Sequence, residues 1–145
     1  MSDAQEIEIP DAHAAVLERT TIGLMTTIRH KDGLPSTNPV GYVWRDGILR
    51  ISTIKNRMKY ANLLADPRVA VCVVDPNDHM KYVEIRGTAS MTDDPDRSFL
   101  RSTFEFAGME MPEDLDPPGT ERVVVRIHPQ QSSSPVLYGG RFDRD

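Results

Sequence analysis

The chain has 145 residues, 39% hydrophobic and 27% charged, and its 17 Lys and Arg against 22 Asp and Glu give a formal net charge of -5. That length fits one domain, 1–145, able to bury roughly two-thirds of its unfolded-chain surface. No apolar run approaches the ~18–20 residues of a bilayer span, and an acidic chain lacks the extended basic surface of a phosphate-tracking protein, so neither a membrane nor a nucleic-acid partner is expected.

The start, "MSDAQEIEIPD", has no basic n-region and no apolar h-region, and the lone Cys72 cannot form an internal disulfide, so a cytoplasmic location is expected. "PDAHAAVLERT" spaces Ala12, Ala15, Val16 and Arg19 as a short amphipathic helix behind Pro10 and Asp11, making 1–20 a helix and arm. "TIGLMTTIR" reads as a strand, "HKDG" as a turn, and "PSTNPVGYVWR" as a second strand whose prolines suggest an edge. Asp46-Gly47 is the strongest turn signal, since both central residues of a type I′ turn need positive φ, and it leads into "ILRIST". "NRMKYANLLADP" reads as a helix with Asn56 as N-cap and Asp66-Pro67 as its stop. "RVAVCVVD" and "MKYVEIRGTASM" follow as long strands, the second with Tyr82, Glu84 and Arg86 on one face; Gly87 marks a candidate β-bulge. "DDPDRSFLRSTFEFAG" is an acid-started helix, "EMPEDLDPPGT" a loop or lid, "ERVVVRIHP" the last strand, and 129–145 a tail. Six strands joined mainly by turns, with short helices between and outside, predict a mainly β (α+β) fold, a six-stranded antiparallel barrel; a parallel sheet would need a helix between successive strands.

Charge is unevenly spread. Residues 47–65 hold Arg50, Lys55, Arg57 and Lys59 with no acid, whereas residues 92–121 hold nine acids against Arg97 and Arg101. Cations where a helix begins can form a phosphate site with the first-turn amides, Arg57 as a planar fork and Lys59 as a mobile point charge. From charge alone the plainer reading is a solvated helix face. The histidines His13, His30, His79 and His128 have no metal-ligand spacing, and Ser132-Ser133-Ser134 lies in no nucleophile turn. Trp44 reads as barrel packing.

A strand ending in Ser-Thr, a basic Arg-x-Lys turn and "YANLLADPRVAV" resemble the pyridoxamine 5′-phosphate oxidase-like superfamily of flavin and deazaflavin split barrels. "YVEIRGTASM" and "PVLYGG" resemble its later elements, with residues 21–92 matching well and the rest weakly. The resemblance implies a homodimeric split barrel with cofactors at the subunit interface. It implies that Arg57 and Lys59 hold the cofactor phosphate, that Ile51, Ser52 and Thr53 line its ribityl chain and ring, and that Asn38, Pro39 and Val40 approach the ring edge. Lys55 would face solvent or the outer tail of the cofactor, and Asn62 would fix the helix. Tyr82 and Arg86 would come from the partner chain, with Tyr82 or a water as candidate proton donor and barrel wall as the plainer reading of Tyr82.

"GLPSTNPV" with "STIKNRMKYANL" is most similar to the branch that uses coenzyme F420, whose anionic tail suits a basic groove. The expected activity is hydride transfer between reduced deazaflavin and an electron-poor, conjugated small molecule. FMN in the same fold, and a non-catalytic flavin, deazaflavin or haem carrier, are the alternatives. Oxidation of pyridoxamine phosphate is not expected, because the tail offers only Arg141 and Arg144 for a substrate phosphate.

Overall fold

The computed structural model describes residues 5–134. Seven strands form, β1 (Ile22–Ile28), β2 (Pro35–Gly41), β3 (Val43–Arg45), β4 (Ile48–Ile54), β5 (Arg68–Asp75), β6 (Asp78–Asp93) and β7 (Arg122–Ser133), with helices α1 (Asp11–Leu17), α2 (Met58–Ala65) and α3 (Ser98–Phe106). All strand pairs are antiparallel, in the order β2-β1-β5-β6-β7-β4-β3.

Period-two alternation puts Met25, Val40, Ile51, Val71, Val83, Val125 and Ile127 on one face, and these residues of six different strands join a single buried cluster. A flat sheet could not bring them together, so the sheet curls into a barrel-like half-shell. Val16 and Leu17 of α1 complete the cluster, giving that helix a buried stripe although it is only two turns long. The sheet comes back on itself where its edge strand β2 approaches β4, with no ladder between them among the described residues. This is the split of a split barrel.

The strand count differs from six because of one residue. Tyr42 divides the expected second strand into β2 and β3: its backbone N–H donates to Thr21 O (2.9 Å), and its buried hydroxyl donates to Leu17 O (2.6 Å), with Thr20 O at 2.8 Å. The Asp46-Gly47 turn has the expected positive φ at both positions, 54° and 76°. Gly87 sits at a register shift against β7, where a Cβ would lie 1.9 Å from His128 O, so only glycine fits. The N-cap of α2 is Arg57 rather than Asn56, and it makes no side-chain capping bond. Asp94 secures α3 instead of a residue at its own cap, accepting from the Phe99 and Leu100 amides at 3.1 and 2.9 Å.

The last strand runs to Ser133, beyond the expected end at Pro129. "PVLYGG", Arg141 and Arg144 lie outside the described residues. Among the described residues no helix is long and apolar enough to cross a membrane.

Candidate functional site

The split is lined from both sides. Pro39, Val40 and Gly41 of β2 face Ile51, Ser52, Thr53 and Ile54 of β4 across a groove of about 420 Å³, and Arg57 and Lys59 close one end. Seven of the residues singled out from the sequence thus meet in one cleft. Strand alternation explains the arrangement of β4, since Ile51 and Thr53 turn inward while Ser52 and Ile54 lie at the rim.

Lys59 is half-buried, and burial first, then the neighbouring Arg57 charge, holds its ammonium below the ordinary lysine pKa. Among the described residues neither Arg57 nor Lys59 has a carboxylate within salt-bridge distance. Two like charges held side by side, one of them desolvated, oppose folding unless an anion joins them. Nearby on β2, Asn38 Oδ1 is buried with no hydrogen-bond partner, an acceptor that lacks a donor. Uncompensated cations at one end and an orphan acceptor on the adjoining strand fit a ligand that is anionic at one end and carries an N–H on a planar ring.

The opposite wall comes from residues the sequence did not mark. Leu115, Asp116 and Pro117 of the 107–121 connection line the groove, and Arg122, the first residue of β7, reaches into it. Arg122 Nη2 and Nε donate to the two Asp116 oxygens at 2.6 and 2.8 Å, with side-chain exposures of 14% and 4%. The Arg122 guanidinium holds the Asp116 carboxyl below the usual carboxylate range, and Arg97 adds a weaker attraction. The segment expected as a loop or lid is therefore pinned into the site by a bidentate pair. Nothing in an acid-rich stretch distinguishes Asp116 from Glu113 or Asp114; the one available signal was an arginine leading an apolar strand directly after it.

The profile of the pyridoxamine 5′-phosphate oxidase family matches residues 9–134. The chain belongs to that family. A solved structure named F420 reductase is 30% identical, with a TM-score of 0.76, covering 86% of this chain and 98% of its own. An FMN-binding, pyridoxamine 5′-phosphate oxidase-related protein from Nostoc punctiforme (14% identity, TM-score 0.62, 88% of this chain and 86% of that one) shares the fold. So does a heme-binding protein from Mycobacterium smegmatis (19% identity, TM-score 0.67, 92% of this chain and 57% of that one). No curated protein matches the chain.

As a member of the pyridoxamine 5′-phosphate oxidase family, the chain has the flavin-type oxidoreductase fold, and its remaining candidate residues sort by location. Lys55 turns away from the groove to Asp93 (3.2 Å) and Glu121 (3.8 Å). Asn62 is buried: its Oδ1 accepts from the His30 backbone N–H (3.0 Å) and lies 3.0 Å from His30 Nδ1, and its Nδ2 donates to Thr27 Oγ1 (3.1 Å). It ties α2 to β1. Tyr82 and Arg86 lie on the outer face of β6, where Arg86 pairs with Glu84 at 3.0 Å; neither lines the groove of its own chain. Trp44 packs against the core cluster. No metal-holding group of side chains occurs among the described residues.

Proposed function

We propose that the chain is an F420-dependent oxidoreductase, a homodimer that moves a hydride between reduced deazaflavin and a conjugated, electron-poor small molecule. The observation that carries this reading is the pair of exposed Arg57 and half-buried Lys59, without carboxylate partners among the described residues and lining a groove sized for a planar ring with a tail. The bound cofactor supplies the hydride chemistry. The chain supplies position and charge: Arg57 and Lys59, with the first-turn amides of α2, hold the phosphate. Ser52 and Thr53 take the ribityl hydroxyls, Ile51, Pro39 and Val40 lie against the ring, and Asn38 Oδ1 accepts from its imide N–H. Leu115 and Pro117 add apolar surface to the groove.

A second copy completes the cleft in this reading. Ile22, Leu24 and Val74 project from the outer face of β1 and β5 at 54%, 42% and 37% exposure, and Ile22 and Leu24 lie in register with Gly41 and Pro39 of the groove wall. An apolar sheet face of this kind suits a two-fold partner, whose Tyr82 and Arg86 would then reach the cofactor. FMN in the same groove is the second reading, favoured by the family match and by the FMN-binding relative.

Steady-state oxidation of reduced F420 with menadione as acceptor tests the proposal. Turnover that depends on the protein and is lost in Lys59→Ala supports it. Tight binding of F420 with no turnover across a panel of quinones and enones would leave a carrier.

A further inference from the structure

Gly41, Ser52 and Arg122 line the groove on one side and, on the other, a smaller recess of about 230 Å³ roofed by α3. The recess is walled by apolar side chains, Ile22, Tyr42, Leu100, Phe104 and Met109 among them. It lies below the ~300–1,000 Å³ of pockets for drug-sized ligands, so its occupant is a single ring or a short conjugated chain. Among the described residues the one charged side chain lining it is Arg122, whose Nε and Nη2 are already committed to the buried Asp116. The remaining nitrogen, Nη1, lies 3.4 Å from Ser52 Oγ, too far for a strong bond, and so keeps donor capacity.

This combination selects by charge. A carboxylate seated beside Arg122 would have to displace Asp116 or sit against it with its own charge buried, and both are costly in a desolvated site. A carbonyl oxygen carries no net charge and can accept from Nη1 with the pair intact. A guanidinium donor at a conjugated carbonyl also draws electron density from the far end of the conjugation. We propose that the recess under α3 seats the apolar end of a neutral conjugated carbonyl compound, with Arg122 positioning its oxygen at the mouth of the groove, and that Asp116 excludes carboxylate-bearing analogues. The inference rests on the oxidoreductase reading for its purpose, though its binding chemistry can be measured without the cofactor.

Methyl cinnamate and cinnamate share one conjugated skeleton and differ in charge, so they serve as the probes. Protein labelled with carbon-13 in its methionine methyl groups is titrated with each, the Met109 signal being assigned through Met109→Leu. Methyl cinnamate is expected to shift the Met109 methyl and to bind at least roughly tenfold tighter than cinnamate, a difference of ~1.4 kcal/mol. Asp116→Asn, which leaves the Arg122 charge uncancelled, should narrow or reverse that preference. Ala107→Phe fills the recess from the exposed end of α3 and should abolish the Met109 response while F420 binding persists. Equal affinity of the two probes for the parent protein would overturn the proposal, as would an unchanged methyl cinnamate response in Ala107→Phe. If Met109 responds as expected but F420 does not bind, the cofactor reading fails and the recess stands; F420 binding with a silent Met109 removes the recess alone.

Discussion

Lys59 and Arg57 are the residues on which the cofactor assignment turns. Removing a charged hydrogen bond to a phosphate costs about 1.5–3 kcal/mol, so Arg57→Ala and Lys59→Ala should each weaken F420 binding by roughly 10- to 150-fold in a fluorescence titration. Arg57→Lys separates a bidentate fork from a point charge, and a loss comparable to Arg57→Ala would identify the fork. Lys55→Ala is the control, since its ammonium engages Asp93 and Glu121 outside the groove. Lys59 also gives a pH signature. Its folded-state pKa is lowered, so between that value and the ordinary lysine value the unfolded chain holds more protons, and the ligand-free protein gains stability as pH rises through this window. A bound phosphate raises the same pKa, so cofactor affinity should fall as pH climbs through the free-protein value. Calorimetric titration across the alkaline range should show proton uptake on binding, and Lys59→Arg should abolish both the uptake and the fall. The cations were legible because an acid-free stretch inside an acidic chain is a local property of sequence. The Arg122–Asp116 pair was not, because its geometry depends on where β7 begins relative to β4.

At the scale of elements, α2 is held as a carrier of Lys59. It has no side-chain cap, and besides Leu63 in the core its attachment runs through buried Asn62, whose amide meets the His30 backbone and buried Thr27. Asn62→Ala leaves those groups without partners, which should cost about 1–3 kcal/mol in a urea unfolding midpoint experiment. F420 affinity should fall as well, through loosened α2 rather than a lost contact, and Asn62→Asp should recover part of it because its carboxylate can still accept from the His30 amide. Strands and turns of this fold were readable because alternation and Asp46-Gly47 are local signals. The break at Tyr42 was not, since it arises from a hydroxyl reaching the end of α1, 25 residues away along the chain. The acid-rich 110–120 segment reads as a loop for a sound reason, its composition, but composition says nothing of which single acid is buried.

At the scale of the molecule, the fold and the groove were legible because one motif-bearing stretch, β4 into α2, supplies the largest single share of the wall. What the chain does with its outer face was less so, because exposed Ile22, Leu24 and Val74 sit beside the inward Met25 and Val73, and a run apolar on both faces does not show which face is left bare. Leu24→Lys should convert a dimer into a monomer by light scattering and, if the cleft is completed by the second copy, weaken cofactor binding at the same time. A monomer that binds as well as the parent would show that the groove works alone. The most direct measurement of the central claim is a side-by-side equilibrium titration of the cofactor-free protein, parent and Lys59→Ala, with F420 and with FMN at two salt concentrations. F420 should bind the parent more tightly than FMN, lose more affinity at high salt because its tail carries more charge, and be weakened at least roughly tenfold in Lys59→Ala. Binding of neither cofactor to the folded parent, or identical F420 affinity in the two proteins, would contradict that claim.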